Sequence, residues 1–382
     1  MLGGGRPAPE EGCPGAEVGR PAADLGAGGT CAARESLTGG MKSIIYTETG
    51  PSSVLHLVER EVPEPGAGQV RVRVVTSGVN PTDWKSRTGE TSGGDVPYPE
   101  IVPNQDGAGV VDAVGEGVDD LAVGDRVWSF ISANGHATGT AQEFTVLPRE
   151  RVVALPEDAS FDLGASLGVP AMTAHRALTV HEDGPSRLSP GALDGVTVLV
   201  SGGAGAVGHA AIQLAAWAGA TVITTISSDE KAALARAAGA HHVVNYKQQD
   251  AAAEIRRIAP DGVQIVVEVS IRQNAELVAA VVATRASVAI YANDGGDEVQ
   301  LPLRANMGTN TRYQFVLLYT VGEEALQAAA EDVTAAVRDG ALPVGEDAGL
   351  PLHRYSLEQT AEAHDAVEGG VTGKVLIDVA QG

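Results

Sequence analysis

The run Ser201–Gly208, SGGAGAVG, combines residue types and spacing that suit one kind of chemistry, the holding of phosphates. Gly203, Gly205 and Gly208 fit G-x-G-x-x-G, and Gly202, Gly205 and Gly208 fit G-x-x-G-x-x-G. Glycine permits the tight turn and lets backbone N–H groups approach a pyrophosphate, and the helix that follows turns its partially positive end to the same anion. The flanks supply the context such a loop needs: GVTVLV reads as a buried strand before it, VGHAAIQLAAWAGA as a helix after it, and TVITTI as the next strand. The loop residues Gly202, Gly203, Ala204, Gly205, Ala206, Val207 and Gly208 are therefore expected to cradle a dinucleotide.

The end of the second strand chooses between dinucleotides. A site for NAD places Asp or Glu there, on the ribose hydroxyls. Thr224 to Ser227 of TTISSDEK hold no carboxylate, whereas Ser227 and Ser228 offer hydrogen bonds and Lys231 brings a positive charge one turn later. This set suits a 2′-phosphate and predicts NADPH. Asp229 and Glu230 are read as supporting the N-terminus of the next helix rather than reaching the ribose. Ser227 and Glu230 have capping-box spacing.

The elements that position this loop follow from periodicity. From Met41 to about Leu155 the chain is β-rich: Val70, Val72 and Val74 alternate with Arg71 and Arg73, and short Val-rich runs are punctuated by Gly and Asp turns. A small barrel-like antiparallel unit is expected. Beyond it strands alternate with helices, which predicts a parallel sheet wrapped by helices and an α/β fold class. The segment from RYQFVLLYT through GKVLIDVA carries a long helix and ends in a strand; its first part is an apolar stretch suited to a sheet edge.

Composition narrows the function. A net charge of −23 repels phosphate backbones, so nucleic acid is not an expected partner. No apolar run has the length of a membrane span, so no membrane partner is expected either. Residues 1–40 are rich in Gly, Ala and Pro, carry no secretory signal pattern, and are expected to be a disordered tail, with Met41 the expected natural start. Both cysteines, Cys13 and Cys31, fall in that tail. The remainder thus has no disulfide framework and no thiolate ligand, which points to a cytoplasmic protein.

The ordered motifs GVNPTDW, NQDGAGVVDAVGEGV, GDRV, TAHRAL, the glycine loop and AHDAVEGGVTGKVL together resemble the medium-chain dehydrogenase/reductase superfamily, in its zinc-free quinone oxidoreductase (zeta-crystallin-like) branch. The resemblance spans Met41 to the C-terminus. It implies a GroES-like catalytic domain over residues 41–169, completed by 313–382, and an inserted Rossmann NADP-binding domain over 170–312, with the active site between them. It also implies a homodimer or other homo-oligomer formed through edge strands of the Rossmann sheet.

Zinc-dependent members of the superfamily need Cys and His or Glu ligands. Asn80 stands where the first of these would be, and Asn104, Gln105 and Asp106 replace the Gly-His-Glu segment, so no metal is expected. Many relatives read Pro-Gly-x-Asp where this chain has Pro103-Asn104-Gln105-Asp106, a departure that bears on cleft shape.

By the same resemblance Asn80 faces the nicotinamide ribose and the substrate oxygen, with an Asx-type turn as the plainer reading of NPTD. Lys85 stands where several relatives carry a cleft tyrosine and is a candidate proton donor, or else a surface lysine. Thr173 approaches the nicotinamide carboxamide, or bonds its own helix backbone. Tyr246 flanks the adenosine phosphate and Lys374 lies near the cofactor, the alternatives being strand-end packing and a solvated lysine. The expected activity is NADPH-dependent reduction of a small-molecule quinone. An NADPH-dependent enoyl or enone reductase, as in polyketide tailoring, is the runner-up, and an NADPH-binding protein without turnover is the alternative of another class.

Overall fold

The computed structural model describes residues 40–91 and 93–380. The expectations for the tail, its two cysteines and the start at Met41 fall on or against residues 1–39, outside the described residues.

The N-terminal part is antiparallel, as its period-two pattern predicts. β1 (Met41–Ile45) pairs with β2 (His56–Arg60). β3 (Gln69–Val79) leads into the short helix α1 (Pro81–Thr88), and β4 (Asp106–Val114), β5 (Arg126–Ser129), β6 (Phe144–Pro148) and β7 (Val152–Ala154) follow. β3 pairs with β4 and β6, β4 with β5, and β5 with β7. Val70, Val72 and Val74 are buried as the alternation requires. Arg71 is buried too, because Asp112 accepts from its Nε at 2.6 Å and Glu64 lies 3.1 Å from its Nη1.

α2 (Phe161–Leu178), almost wholly buried, leads to a doubly wound unit. Its elements are β8 (Thr197–Ser201), α3 (Ala206–Trp217), β9 (Thr221–Ile226), α4 (Asp229–Ala237), β10 (His242–Asn245), α5 (Ala251–Ile258), β11 (Val263–Glu268), α6 (Ile271–Val281), β12 (Val282–Ile290), α7 (Leu303–Thr309) and β13 (Arg312–Phe315). The strands are parallel in the order β10-β9-β8-β11-β12-β13. The order reverses direction between β8 and β11, and in such sheets the crevice beyond the carboxyl ends at that point takes the ligand. Of the apolar stretch RYQFVLLYT only Arg312–Phe315 forms the edge strand; Leu318–Thr320 is a 3₁₀ turn. Ser228, not Ser227, caps α4, accepting from Lys231 N–H at 3.3 Å.

α8 (Glu323–Arg338), β14 (Leu352–Ser356), α9 (Thr360–Glu368) and β15 (Lys374–Asp378) complete the chain. β15 runs antiparallel to β3, and β14 parallel to β15, so residues from the C-terminal end close the first sheet. One apolar core runs through both sheets, from Trp128 and Phe130 across Met172 and Leu178 of α2 to Val200 and Ile212. Asp332 of α8 ties the last turn of α2 to the loop after it by accepting from His175 Nε2 at 2.8 Å and from Leu188 N–H at 2.7 Å. Burial opposes its ionisation, yet these bonds and that from Arg187 hold its carboxyl down to about 2. No helix among the described residues is long and apolar enough to cross a membrane.

Candidate active site

The glycine loop joins the end of β8 to the start of α3, with Gly205 as the helix N-cap. Three of its glycines are required by the protein itself: Gly202 has a φ of +70°, in the left-handed region. A Cβ on Gly203 would lie 2.2 Å from Thr224 Oγ1, and one on Gly208 would lie 2.4 Å from the Gly202 carbonyl. Gly205 differs: its Cβ would meet only that carbonyl, at 3.5 Å, an ordinary contact. No atom of the fold forbids a side chain at Gly205, which leaves the open face of the loop free for the close approach of a phosphate to the α3 N-terminus. The loop therefore fits a dinucleotide.

A hollow continues from this loop along the strand ends, lined by Ser201, Gly202, Thr225, Tyr246, Val269 and Ser270. Tyr246, which lines it, is half exposed. Ser227, Ser228 and Lys231 sit half-buried at the β9–α4 junction beside it, with the Ser228 oxygen engaged in capping. Glu268, which sequence reading missed, is fully buried under the rim. It accepts from Ser201 Oγ at 2.6 Å, Ser270 N–H at 2.6 Å and Asn274 Nδ2 at 2.8 Å, tying the loops after β8 and β11 together.

Asn80, Asp83, Asp106 and Lys374 form a cluster in which every member is at most 3% exposed. Lys374 Nζ donates to Asn80 Oδ1 at 2.6 Å and lies 3.6 Å from Asp106 Oδ2; Asn80 Nδ2 donates to Asp106 Oδ2 at 2.7 Å. Asp106 reaches α2, where both its oxygens accept from Val169 N–H at 2.9 and 3.0 Å; a Cβ on Gly168 would sit 2.1 Å from its Oδ1. Asp83 Oδ2 accepts from Asn80 N–H at 2.7 Å and Oδ1 from Gln105 N–H at 3.1 Å. Burial pushes both carboxyls up and the ammonium down. Two carboxyls share one ammonium. Asp106 has more donors and the nearer lysine, and Asp83 is pushed up to about 8, by burial and then by Asp106.

Against the cluster lies a cavity of about 400 Å³. Its walls include Tyr46, Thr82, Asp83, Tyr98, Gln105 and Tyr319. Leu317 lines both this cavity and a second hollow at the ends of β12 and β13. Asn80, Lys85, Thr173 and Lys374 are not in the cavity wall. Lys374 is an internal cation rather than a solvated lysine, and the Asn80 amide is engaged by Lys374 and Asp106. Lys85 bridges from α1, donating to Asn293 Oδ1 at 3.0 Å and lying 3.3 Å from Glu90 Oε1. Thr173 is buried in α2. Thr82 and Tyr319, cavity residues brought together from α1 and the 3₁₀ turn after β13, were not singled out from sequence.

Comparison with known proteins agrees with this architecture. Residues 66–157 match the alcohol dehydrogenase GroES-like domain and residues 206–335 match the zinc-binding dehydrogenase domain. Rat (Rattus norvegicus) quinone oxidoreductase is 32% identical over 343 residues, which cover 88% of this chain and 97% of that protein. A 2-haloacrylate reductase from Burkholderia sp is 36% identical over 220 residues, 57% of this chain and 62% of its own length. A mycobacterial protein solved in complex with NADPH superposes with a TM-score of 0.73 at 28% identity, covering 88% of this chain and 99% of that one.

A doubly wound sheet with a glycine-loop cradle, joined to a GroES-like sheet, defines an oxidoreductase. The chain belongs to the medium-chain dehydrogenase/reductase superfamily, in its quinone oxidoreductase (zeta-crystallin-like) branch.

Proposed function

We propose that this oxidoreductase reduces quinones with NADPH, without zinc, as a cytoplasmic homodimer. The observation that carries the reading is the tyrosine-walled cavity, which shares Leu317 with the hollow at the ends of β12 and β13. A flat aromatic acceptor finds stacking surfaces in Tyr46, Tyr98 and Tyr319. NADPH is favoured by the cradle, by the carboxylate-free end of β9 beside Lys231, and by the mycobacterial relative that binds it.

Bound NADPH supplies the hydride. The chain supplies placement: the α3 N-terminus faces the pyrophosphate, and the apolar cavity walls exclude water around the acceptor. Zinc independence is supported by the cluster itself. The Lys374 ammonium, 3.6 Å from Asp106, already brings a positive charge to the donors that a metal would need. Among the described residues no group of three or more His, Cys, Asp or Glu could hold an ion.

The homodimer rests on the open edge of β13, where Phe315 and, just past the strand, Leu317 are 69% and 55% exposed. Sedimentation should give a dimer for the wild type and a monomer for Phe315→Arg; a wild-type monomer would end that part of the proposal. The cytoplasmic assignment rests on residues 40–380 having no cysteine.

A second reading, reduction of an activated C=C bond, is favoured by the Burkholderia 2-haloacrylate reductase. A panel of ortho- and para-quinones, simple enones and enoyl thioesters, assayed by NADPH oxidation, separates the two. Turnover of quinones supports the first reading, and turnover confined to enones or thioesters replaces it with the second.

A further inference from the structure

An uncharged carbonyl compound offers oxygen lone pairs, so a cavity that selects it needs a fixed hydrogen-bond donor. A carboxylate or sulfonate needs more. Its charge must leave water, and a hydrogen bond does not offset that cost without a cation close by.

The cavity of about 400 Å³ meets the first need at Gln105. Asn104, the residue before it, has a left-handed backbone with φ +78°. Two side-chain bonds hold that conformation: His364 Nε2 donates to Asn104 Oδ1 at 2.9 Å, and Asn104 Nδ2 donates to Ser77 Oγ at 3.0 Å. Gln105 is fixed in turn. Its N–H donates to Asp83 Oδ1 at 3.1 Å, its carbonyl accepts from Ser132 N–H at 2.9 Å, and its side-chain Oε1 accepts from Ala133 N–H at 3.1 Å. Gln105 and Ala133 both line the cavity. The amide nitrogen, with two hydrogens, is the polar end left over: it bonds none of the described residues and is not sealed in the interior.

The second need is not met. Among the described residues of the wall there is no lysine or arginine, while Asp83 and Asp95 are present and the histidine, His136, is exposed. Lys374, outside the wall, is engaged by Asn80 and Asp106.

We propose that Gln105 is a specificity-determining residue: its amide hydrogens receive an oxygen of an uncharged acceptor, while the acidic wall turns anionic acceptors away. The inference rests on the reductase function proposed above and deepens it by naming the acceptor class, an uncharged quinone or enone rather than a carboxylate.

The test uses the full chain with NADPH at pH 8, where histidine does not supply the missing charge. It compares 1,4-naphthoquinone with its 2-sulfonate, whose electron-withdrawing group makes it the stronger oxidant, so that chemistry alone favours the anion. Wild type should instead show a kcat/KM about tenfold lower for the sulfonate. Gln105→Leu should raise the KM for 1,4-naphthoquinone about fivefold, the loss of one modest hydrogen bond. Gln105→Lys should raise kcat/KM for the sulfonate about tenfold without improving it for the uncharged quinone, a gain that a merely structural role would not produce. Asp95→Lys, at an exposed position, should move the ratio the same way and keeps the charge argument testable where a Gln105 variant fails to fold. A wild type that takes both quinones equally, a ratio that neither lysine variant moves, or an unchanged KM in Gln105→Leu would overturn this inference and leave quinone reduction standing. A wild type that reduces neither 1,4-naphthoquinone nor cyclohexenone would overturn both.

Discussion

Lys374 Nζ and Asn80 Oδ1 are 2.6 Å apart, joining the first residue of β15 to the N-cap of α1 across 294 positions of sequence. The ammonium is 2% exposed and lies 3.6 Å from Asp106. Lys374→Met should therefore strip a buried carboxylate of its counter-charge and destabilise the fold by about 3–5 kcal/mol. Denaturant titration measures this directly. Lys374→Met combined with Asp106→Asn should recover part of the loss, because the pair is then removed together.

Two glycines of the same loop should behave differently. Gly203→Ala places a methyl 2.2 Å from Thr224 Oγ1 and should lower stability, visible as a fall in Tm. Gly205→Ala meets only an ordinary contact at 3.5 Å, so it should leave Tm nearly unchanged while weakening NADPH binding in a fluorescence titration.

Cofactor choice should reside at the β9–α4 junction. Lys231→Ala should raise the KM for NADPH about tenfold, as expected for one charge-assisted hydrogen bond, and leave the KM for NADH near its wild-type value. Equal effects on both cofactors would place Lys231 away from the 2′-phosphate.

Asp83 gives a pH signature. Its folded carboxyl is pushed up to about 8 from an ordinary 3.8, so between these values the folded state binds more protons than the unfolded state. The resulting stabilisation is full below the unfolded value and is lost as pH rises toward the folded one, with a slope of at most about 1.4 kcal/mol per pH unit. Wild type should therefore lose stability relative to Asp83→Asn from pH 5 to pH 8. A difference between the two proteins that stays constant over that range would contradict a raised Asp83 carboxyl.

Local chemistry made much of this legible in the sequence. The Val-rich strands and the glycine loop declare themselves through short-range periodicity and spacing, and β9 falls on TVITTI as predicted. What could not be read is what distant segments make together. Lys374 looks like a solvated lysine until β15 pairs with β3 and brings it to Asn80. Tyr319 sits in an apolar run whose first part is strand and whose end turns into the cavity to meet Thr82. Glu268 ends a Val-rich strand with no local pattern to distinguish it; the one available signal was a charged residue in an otherwise apolar run. Asp83 stood in NPTD at a helix-capping position, where the plain structural reading hid its burial beside a second carboxylate.

The most direct test of the central claim is steady-state oxidation of NADPH and NADH by chelator-treated protein with 1,4-naphthoquinone as acceptor. Turnover should survive metal removal and favour NADPH. Activity that vanishes with the metal and returns with added zinc, or that favours NADH, would contradict it.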